Sequence, residues 1–356
     1  MGDYPSRSVN ATAGDLGVTP RHAQGAGYGN SPSNYNEPPL GGGGALPKKT
    51  RFSIETGFRG LSTAAGAMVL VIIVAIAVFL ISKAVPALQA NNASFLTELT
   101  WFPNDTEPVF GIAALAFGTV LSSIIALIVA VPIALSIALF LSHYAPRRLA
   151  TPLGFVIDLL AAVPSVVFGL WGRDVFQEPV RDFSIWLNEY FGWIPLFGGE
   201  GPFGQSIMLG GLVLAIMVLP IVTSLSREVF QQTPGMNEEA ALALGATRWE
   251  MIRTAVLPYG KPGVIAAVML GLGRALGETI ALALTLSIAF KINVNLIENG
   301  GNSIAANIAN AFGEANETGR GALIASGLVL FVITLVVNMT ARAIIYRRRE
   351  FRDSAA

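Results

Sequence analysis

Residues Glu239–Pro258 read E-A-A-L-A-L-G-A-T-R-W-E-M-I-R-T-A-V-L-P, a polar, charge-bearing stretch between two long apolar runs. Just ahead of it, Thr233-Pro234 places a capping hydroxyl before a proline expected at the first helical position. Glu238 and Glu239 then fall near the positive end of the helix that follows. Gly245 is free to take the left-handed conformation that ends this helix. Thr247 recurs as a cap with Glu250 three residues on, the pattern of a capping box, and Pro258 is expected to stop the second helix. Ala240, Ala241, Ala243 and Gly245 are small enough to let another protein approach the backbone closely. Two short helices with a sharp bend make a compact knob. Capping signals alone fit an ordinary solvated helix–turn–helix better than a docking element. The full spacing, with its flanking runs, reverses that order.

Those flanking runs set the class. The chain has 356 residues, 53% hydrophobic and only 13% charged, with a mean hydropathy of +0.58. Soluble domains average about 25% charged residues, so the bilayer is the natural solvent here. Six apolar runs stand out, roughly Leu61–Lys83, Ile112–Ser142, Pro152–Gly172, Ser206–Leu225, Gly263–Phe290 and Gly321–Ile345. Each is about 20 residues or longer, enough to cross the hydrocarbon core as a helix. The expectation is an all-α membrane protein with six spans.

Lys and Arg beside the spans set its orientation. Fifteen lie on one side, including Lys48, Arg147, Arg227, Arg248, Arg253 and Arg342. Five lie on the other: Lys83, Arg173, Arg181, Lys291 and Arg320. This asymmetry predicts that both termini and the Glu239–Pro258 loop face the cytoplasm, although the formal net charge is zero. With no cysteine, disulfides and thiolate chemistry are excluded. No metal or other cofactor and no nucleic-acid partner is expected; membrane lipid is.

Residues 1–50 differ in kind, rich in Gly, Pro, Ser and Asn and including Gly41–Gly44. Such a tail buries too little surface to offset its ordering entropy, and disorder in the cytoplasm is expected. The first apolar run begins near Leu61 and is too long for a signal-peptide core, so targeting rests on the first span. Outward, Trp186, Tyr190 and Trp193 in Asp182–Gly204 suit either an amphipathic helix at the headgroup level or a packed loop capping the spans. In the last outward loop Ile304, Ile308 and Phe312 recur at helical spacing, which predicts a short interfacial helix.

Charges within spans are costly, about 2.5–3.5 kcal/mol or more at the helix centre. Asp158 lies near one end of the third run. Arg274 and Glu278 lie inside G-L-G-R-A-L-G-E-T, with a spacing that puts both on one helix face. Gly271, Gly273 and Gly277 keep steric bulk low around them. Arg274 would present a guanidinium fork to an oxyanion and Glu278 would steady it; equally, the two form a structural ion pair. Pro164 opens the third run at mid-membrane, with the Ser165 hydroxyl beside it, either as a simple kink or as part of a binding site.

Taken together, these segments resemble the permease subunits of bacterial phosphate ABC importers, the PstC-type more than the PstA-type. The resemblance runs from about Arg51 to the C-terminus and leaves the tail outside it. Many importers share the docking loop. P-S-V-V-F-G-L at Pro164–Leu170, the Gly271–Thr279 motif and the Gly301–Ala315 loop are more specific to phosphate permeases. It implies a type I importer fold, one permease domain over 51–350 and a coupling loop over 227–262. It also implies a PstA-type second permease, a PstB-type ATPase dimer and an extracytoplasmic phosphate-binding protein. Docking on the ATPase is implied for Glu239, Ala240, Ala241, Gly245, Leu257 and Pro258, and phosphate passage for Arg274 and Glu278. One departure is Arg173-Asp174, where apolar residues usually follow Trp-Gly. The third span is then shorter, or the pair is buried against each other.

No Gly-x-x-x-x-Gly-Lys-[Ser/Thr] occurs, so energy must come from a partner ATPase and the chain is not itself an enzyme. A permease for molybdate or sulfate shares the docking loop but is not expected to carry the Pro164–Gly169 segment. A secondary transporter would need no ATPase. An intramembrane enzyme is disfavoured, because no His/Asp/Glu cluster lies within the spans and His22 and His143 fall outside them.

Overall fold

A computed structural model of the chain describes residues 54–353, with side chains from 56 to 343. The expected disordered tail, 1–50, lies outside the described residues. The chain divides into two units at Gly60. Of the first, only the opening turn of a helix is described; the second holds everything that follows.

The described residues are predominantly helical. The helices are α1 (Ile54–Ala90), α2 (Ala113–Leu139), α3 (Arg147–Ala161), α4 (Ser165–Trp171), α5 (Gln177–Phe191) and α6 (Ile207–Gln231). They continue with α7 (Gly235–Ala243), α8 (Arg248–Met251), α9 (Leu257–Gly277), α10 (Ile280–Thr285), α11 (Ile304–Ala311) and α12 (Glu317–Asp353). A small hairpin pairs β1 (Trp101–Phe102) with β2 (Val109–Phe110). Single π-turns extend α2, join α4 to α5 and join α8 to α9. Five helical stretches are long and apolar enough to cross a membrane, and α3 with α4–α5, bent by 89°, makes up to a sixth.

The core forms around α6. Its neighbour α2 presents Ala126, Ala130, Ala134 and Ala138, every fourth residue and all fully buried. Small side chains let helix backbones approach closely where lipid supplies no hydrophobic drive between them. Gly211 and Gly271 do the same on either flank. A Cβ on Gly211 would sit 2.7 Å from Ile125, and one on Gly271 would sit 2.7 Å from Val218 and 2.9 Å from Val222. Helices α6 and α9 run antiparallel: Gly210 faces Leu282 and Leu286, Gly271 faces Val218 and Val222, and Gly263 faces Val229. By contrast, the apolar stretch of α1 is uncovered, with Met68, Leu70, Val74 and Phe79 all exposed.

Three expectations from the sequence are corrected here. The third apolar run is not one straight span. Pro164 caps α4 in extended conformation (φ −59°, ψ 139°), which breaks the chain after Ala161 and turns it through 89°. Arg173 and Asp174 lie on the π-turn beyond, both exposed and not buried against each other, and the helix runs on to Phe191.

The fifth run is likewise broken. Helix α9 ends at Gly277 and Glu278 is extended (ψ 128°). The Glu278 carboxylate accepts the Ala281 amide at 3.3 Å and the Thr279 hydroxyl donates to the Gly277 carbonyl at 3.2 Å. Side chains that bond to nearby backbone compete with helix continuation.

The last outward loop does form the expected short helix, α11, but its first turn packs inside the protein and is not laid on its surface. Ile304, Ala305, Ala306 and Asn307 on α11 are all buried. The Ile304 amide donates to Thr119 Oγ1 on α2 at 2.9 Å, and Asn302 Nδ2 donates to Asn307 Oδ1 at 3.1 Å. Gly300 and Gly301, at φ +118° and +139°, turn the chain inward for this re-entry.

Candidate docking and translocation sites

The Glu239–Pro258 region folds as a bent pair of helices. Gly245 has φ +86°; its amide donates to the Leu242 carbonyl and the Ala246 amide to the Ala241 carbonyl, the two bonds of a Schellman motif. The expected box is present: Glu250 N donates to Thr247 Oγ1 at 3.3 Å, and Thr247 N donates to Glu250 Oε2 at 2.8 Å. Two local expectations fail. Pro234 itself is the cap of α7, and the buried Thr233 hydroxyl has no partner among the described residues. Nor does Pro258 stop a helix: it enters at the start of α9, after the π-turn Ile252–Val256. A π-turn and a proline at the first turn both relieve the proline's missing donor.

Ala240, Ala241 and Pro258 come together, lining a groove of about 520 Å³ with Asn237, Thr254, Ala255 and Tyr259. Glu239 and Gly245 are exposed and Leu257 is half-buried, all three outside that lining. Sequence reasoning missed the apolar side chains the knob exposes: Leu244 at 90%, Met236 at 78% and Trp249 at 56%. Their signal was present, as large apolar residues in an otherwise polar loop. It also missed His143, whose Nε2 lies 3.4 Å from Glu238 Oε1 and joins the end of α2 to α7. His143 belongs to the second long helix, not to a loop beyond it.

Within the spans, the Arg274 and Glu278 side chains do not pair. Glu278 is buried and capping Ala281. Arg274, half-buried in the last turn of α9, has no hydrogen-bond or ion-pair partner among the described residues. It opens on a cavity of about 570 Å³ formed by α6, α9 and α12. Ser165 begins α4, half-buried, and does not line this cavity. Helix α4 instead packs on α10, where a Cβ on Gly169 would lie 2.9 Å from Ala281 Cα. The two helix breaks, at Pro164 and at Glu278, therefore adjoin. Asp158 on α3 accepts from Ser224 Oγ at 2.7 Å and lies 3.8 Å from Arg227 Nη2, which fastens α3 to α6. A guanidinium unpaired among the described residues offers its donors to an anion without a carboxylate competing for them.

Residues 130–350 match the family model described as binding-protein-dependent transport system inner membrane component. The chain belongs to that family. This permease is 49% identical over 292 residues to the phosphate transport system permease protein PstC 2 of Mycobacterium tuberculosis (strain ATCC 25618 / H37Rv). That match covers 81% of this chain and 90% of the relative. It is 42% identical over 294 residues to the phosphate transport system permease protein PstC of Xylella fastidiosa (strain Temecula1 / ATCC 700964), covering 82% and 90%. Among solved structures, it is similar at 16% identity and TM-score 0.49 to a bacterial ABC transporter involved in the import of the acidic polysaccharide alginate, covering 80% of this chain and 97% of that one. The permease is thus a multi-pass membrane transport subunit and not an enzyme. Its partners are a separate ATPase and a substrate-binding protein.

Proposed function

We propose that this permease forms half of the translocation pathway of an ATP-driven phosphate importer. A PstA-type subunit supplies the other half, a PstB-type ATPase dimer docks below, and an extracytoplasmic phosphate-binding protein delivers substrate. The single observation that carries this reading is Arg274, an unpaired guanidinium inside a span, in a chain 49% identical over 292 residues to a named phosphate permease.

Both termini and the loop 227–262 face the cytoplasm. ATP binding closes the ATPase dimer, and α7 and α8 move with it. The exposed Met236, Leu244 and Trp249 give that partner an apolar surface to bury, while Glu239, Ala240, Ala241, Gly245, Leu257 and Pro258 frame the groove and bend. Because α8 is continuous with α9 through the π-turn, displacement of the knob passes along α9 to Arg274. Glu278 caps the start of α10 and Ser165 stands at the start of α4, where its hydroxyl can meet the anion as the broken helices shift. Arg274 compensates the anion's charge during dehydration, and hydrolysis returns the pathway inward.

Reconstitution of the complete complex with labelled phosphate tests this directly. Uptake should persist in about a tenfold excess of sulfate or molybdate, enough to expose a competitor of equal affinity. Suppression by either anion overturns the assignment to phosphate.

A further inference from the structure

The cavity at Arg274 holds a second cation that the function above does not use. Its walls are Ile221 on α6, Ala266, Met269, Leu270, Gly273 and Arg274 on α9, and Asn338, Ala341 and Arg342 on α12. The α9 residues recur at three- and four-residue intervals and form one helical stripe, as do the three on α12. Arg342, like Arg274, has no hydrogen-bond or ion-pair partner among the described residues, and no carboxylate lines the cavity. Two guanidiniums, Arg274 half-buried and Arg342 exposed, therefore line one mostly apolar concavity, open on one side, with no carboxylate among the described residues that line it.

They enter it from opposite ends. Gly301 packs against Ile207 at the start of α6, and Ala322 and Leu323 at the start of α12 share a core with Ile304 of α11. Helix α12 thus begins at the end of the bundle where α6 begins and toward which α9 runs, so it is antiparallel to α9. Arg342, far along α12, lies toward Ala266 and the coupling loop, whereas Arg274 lies toward α10. At 1.5 Å per residue, the eight positions from Ala266 to Arg274 span about 12 Å. Asn338 lies one helical turn from Arg342 on the same face, between the two charges.

We propose that Arg342 and Asn338 form a second phosphate station, on the coupling-loop side of Arg274, to which the anion passes on its way out. This rests on the phosphate-importer reading and adds a release step to it. A single deep well holds an anion too tightly for fast turnover, whereas two adjacent shallow sites let it leave. Removing the second site should therefore slow release, lowering maximal uptake with little change in the KM for the loaded binding protein. Inorganic phosphate and a lipid headgroup present the same phosphoryl chemistry to these groups. The concavity is open on one side and admits either source, so the lipid composition of the vesicles is made to separate them.

The test is phosphate uptake by the full complex in liposomes of phosphatidylcholine alone and with phosphatidylglycerol added. Losing one charged hydrogen-bond partner is expected to lower maximal uptake by Arg342→Gln about tenfold, with the ATPase still co-purifying. Arg342→Lys should restore most of it in both lipids. Asn338→Asp, which adds a negative charge on the path, should fall well below Asn338→Ala; this pair decides the matter if Arg342→Gln does not assemble. Wild-type uptake by Arg342→Gln, equal uptake by the two Asn338 variants, or a defect seen only with phosphatidylglycerol present overturns the proposal. The last of these assigns the cavity to a lipid headgroup. Absence of phosphate uptake by the wild-type complex would instead defeat the functional reading itself.

Discussion

His143 Nε2 and Glu238 Oε1 lie 3.4 Å apart, tying the end of α2 to the first turns of α7 across 95 residues of sequence. The imidazole is nearly buried, at 9% exposure, and the carboxylate is 25% exposed. Its Nδ1 lies 2.7 Å from Ser142 Oγ, which holds the ring in place. The knob is thus anchored to two membrane helices, α2 through this contact and α9 through the π-turn.

Cutting the first anchor should loosen the transmission of force while leaving the fold intact. A hydrogen bond of this kind is worth about 0.5–1.5 kcal/mol net. His143→Ala is therefore expected to lower the phosphate moved per ATP hydrolysed by roughly two- to tenfold, with normal insertion. Measuring uptake and hydrolysis in the same vesicles checks this; an unchanged ratio means that the contact carries no coupling.

The bend at Gly245 depends on a backbone conformation that L side chains rarely adopt. Nothing lies within 4 Å of a Cβ built there, so any penalty comes from φ +86° and not from a clash. Gly245→Asp strains the turn by about 1–2 kcal/mol and adds charge to the docking face. Co-purified ATPase should fall sharply while the permease still inserts. Gly235→Ala, with equally open space and no positive φ, serves as the tolerant control; recovery of wild-type ATPase by Gly245→Asp would remove the knob from the docking interface.

Arg274→Gln should reduce phosphate uptake by about ten- to a hundredfold, the scale of one charged hydrogen-bonding group lost from an anion's path. Insertion and ATPase assembly should be retained. Because Arg274 has no ion pair among the described residues, the loss is not that of a stranded carboxylate there. Normal uptake by this variant would take Arg274 out of the pathway.

Gly271→Val tests the packing between α6 and α9. Its Cβ would approach Val218 Cγ1 to 2.7 Å and Val222 Cγ2 to 2.9 Å. Overpacking of this sort typically costs about 1–3 kcal/mol. A lower thermal midpoint in detergent is expected, whereas Gly273→Ala, with open space around it, should melt like the wild type. Equal midpoints for Gly271→Val and the wild type would contradict the close packing.

Much of this organisation was legible because bilayer-spanning helices announce themselves by length and apolarity, and caps by short local patterns. Gly245, Thr247 and Glu250 do what their types and spacing prescribe. Helix breaks inside apolar sequence were not legible. G-E-T reads as ordinary helix by hydropathy, yet the Glu278 carboxylate and Thr279 hydroxyl bond to nearby backbone and end α9. For the same reason Arg274 and Glu278, four apart, share neither a face nor an ion pair. Pro258 misled in the other direction, since a stop signal becomes tolerable when a π-turn precedes it. Arg342 passed for one more flanking cation because sequence gives no sign of which helix face meets a cavity.

In the proposed cycle, phosphate crosses this permease only when a nucleotide-driven partner moves the knob at Gly245. The most direct measurement is labelled-phosphate uptake into vesicles containing either the permease alone or the complete complex, with and without ATP. Uptake should be confined to the complete complex with ATP. Passage of phosphate through the permease alone, down its gradient and indifferent to ATP, would contradict it.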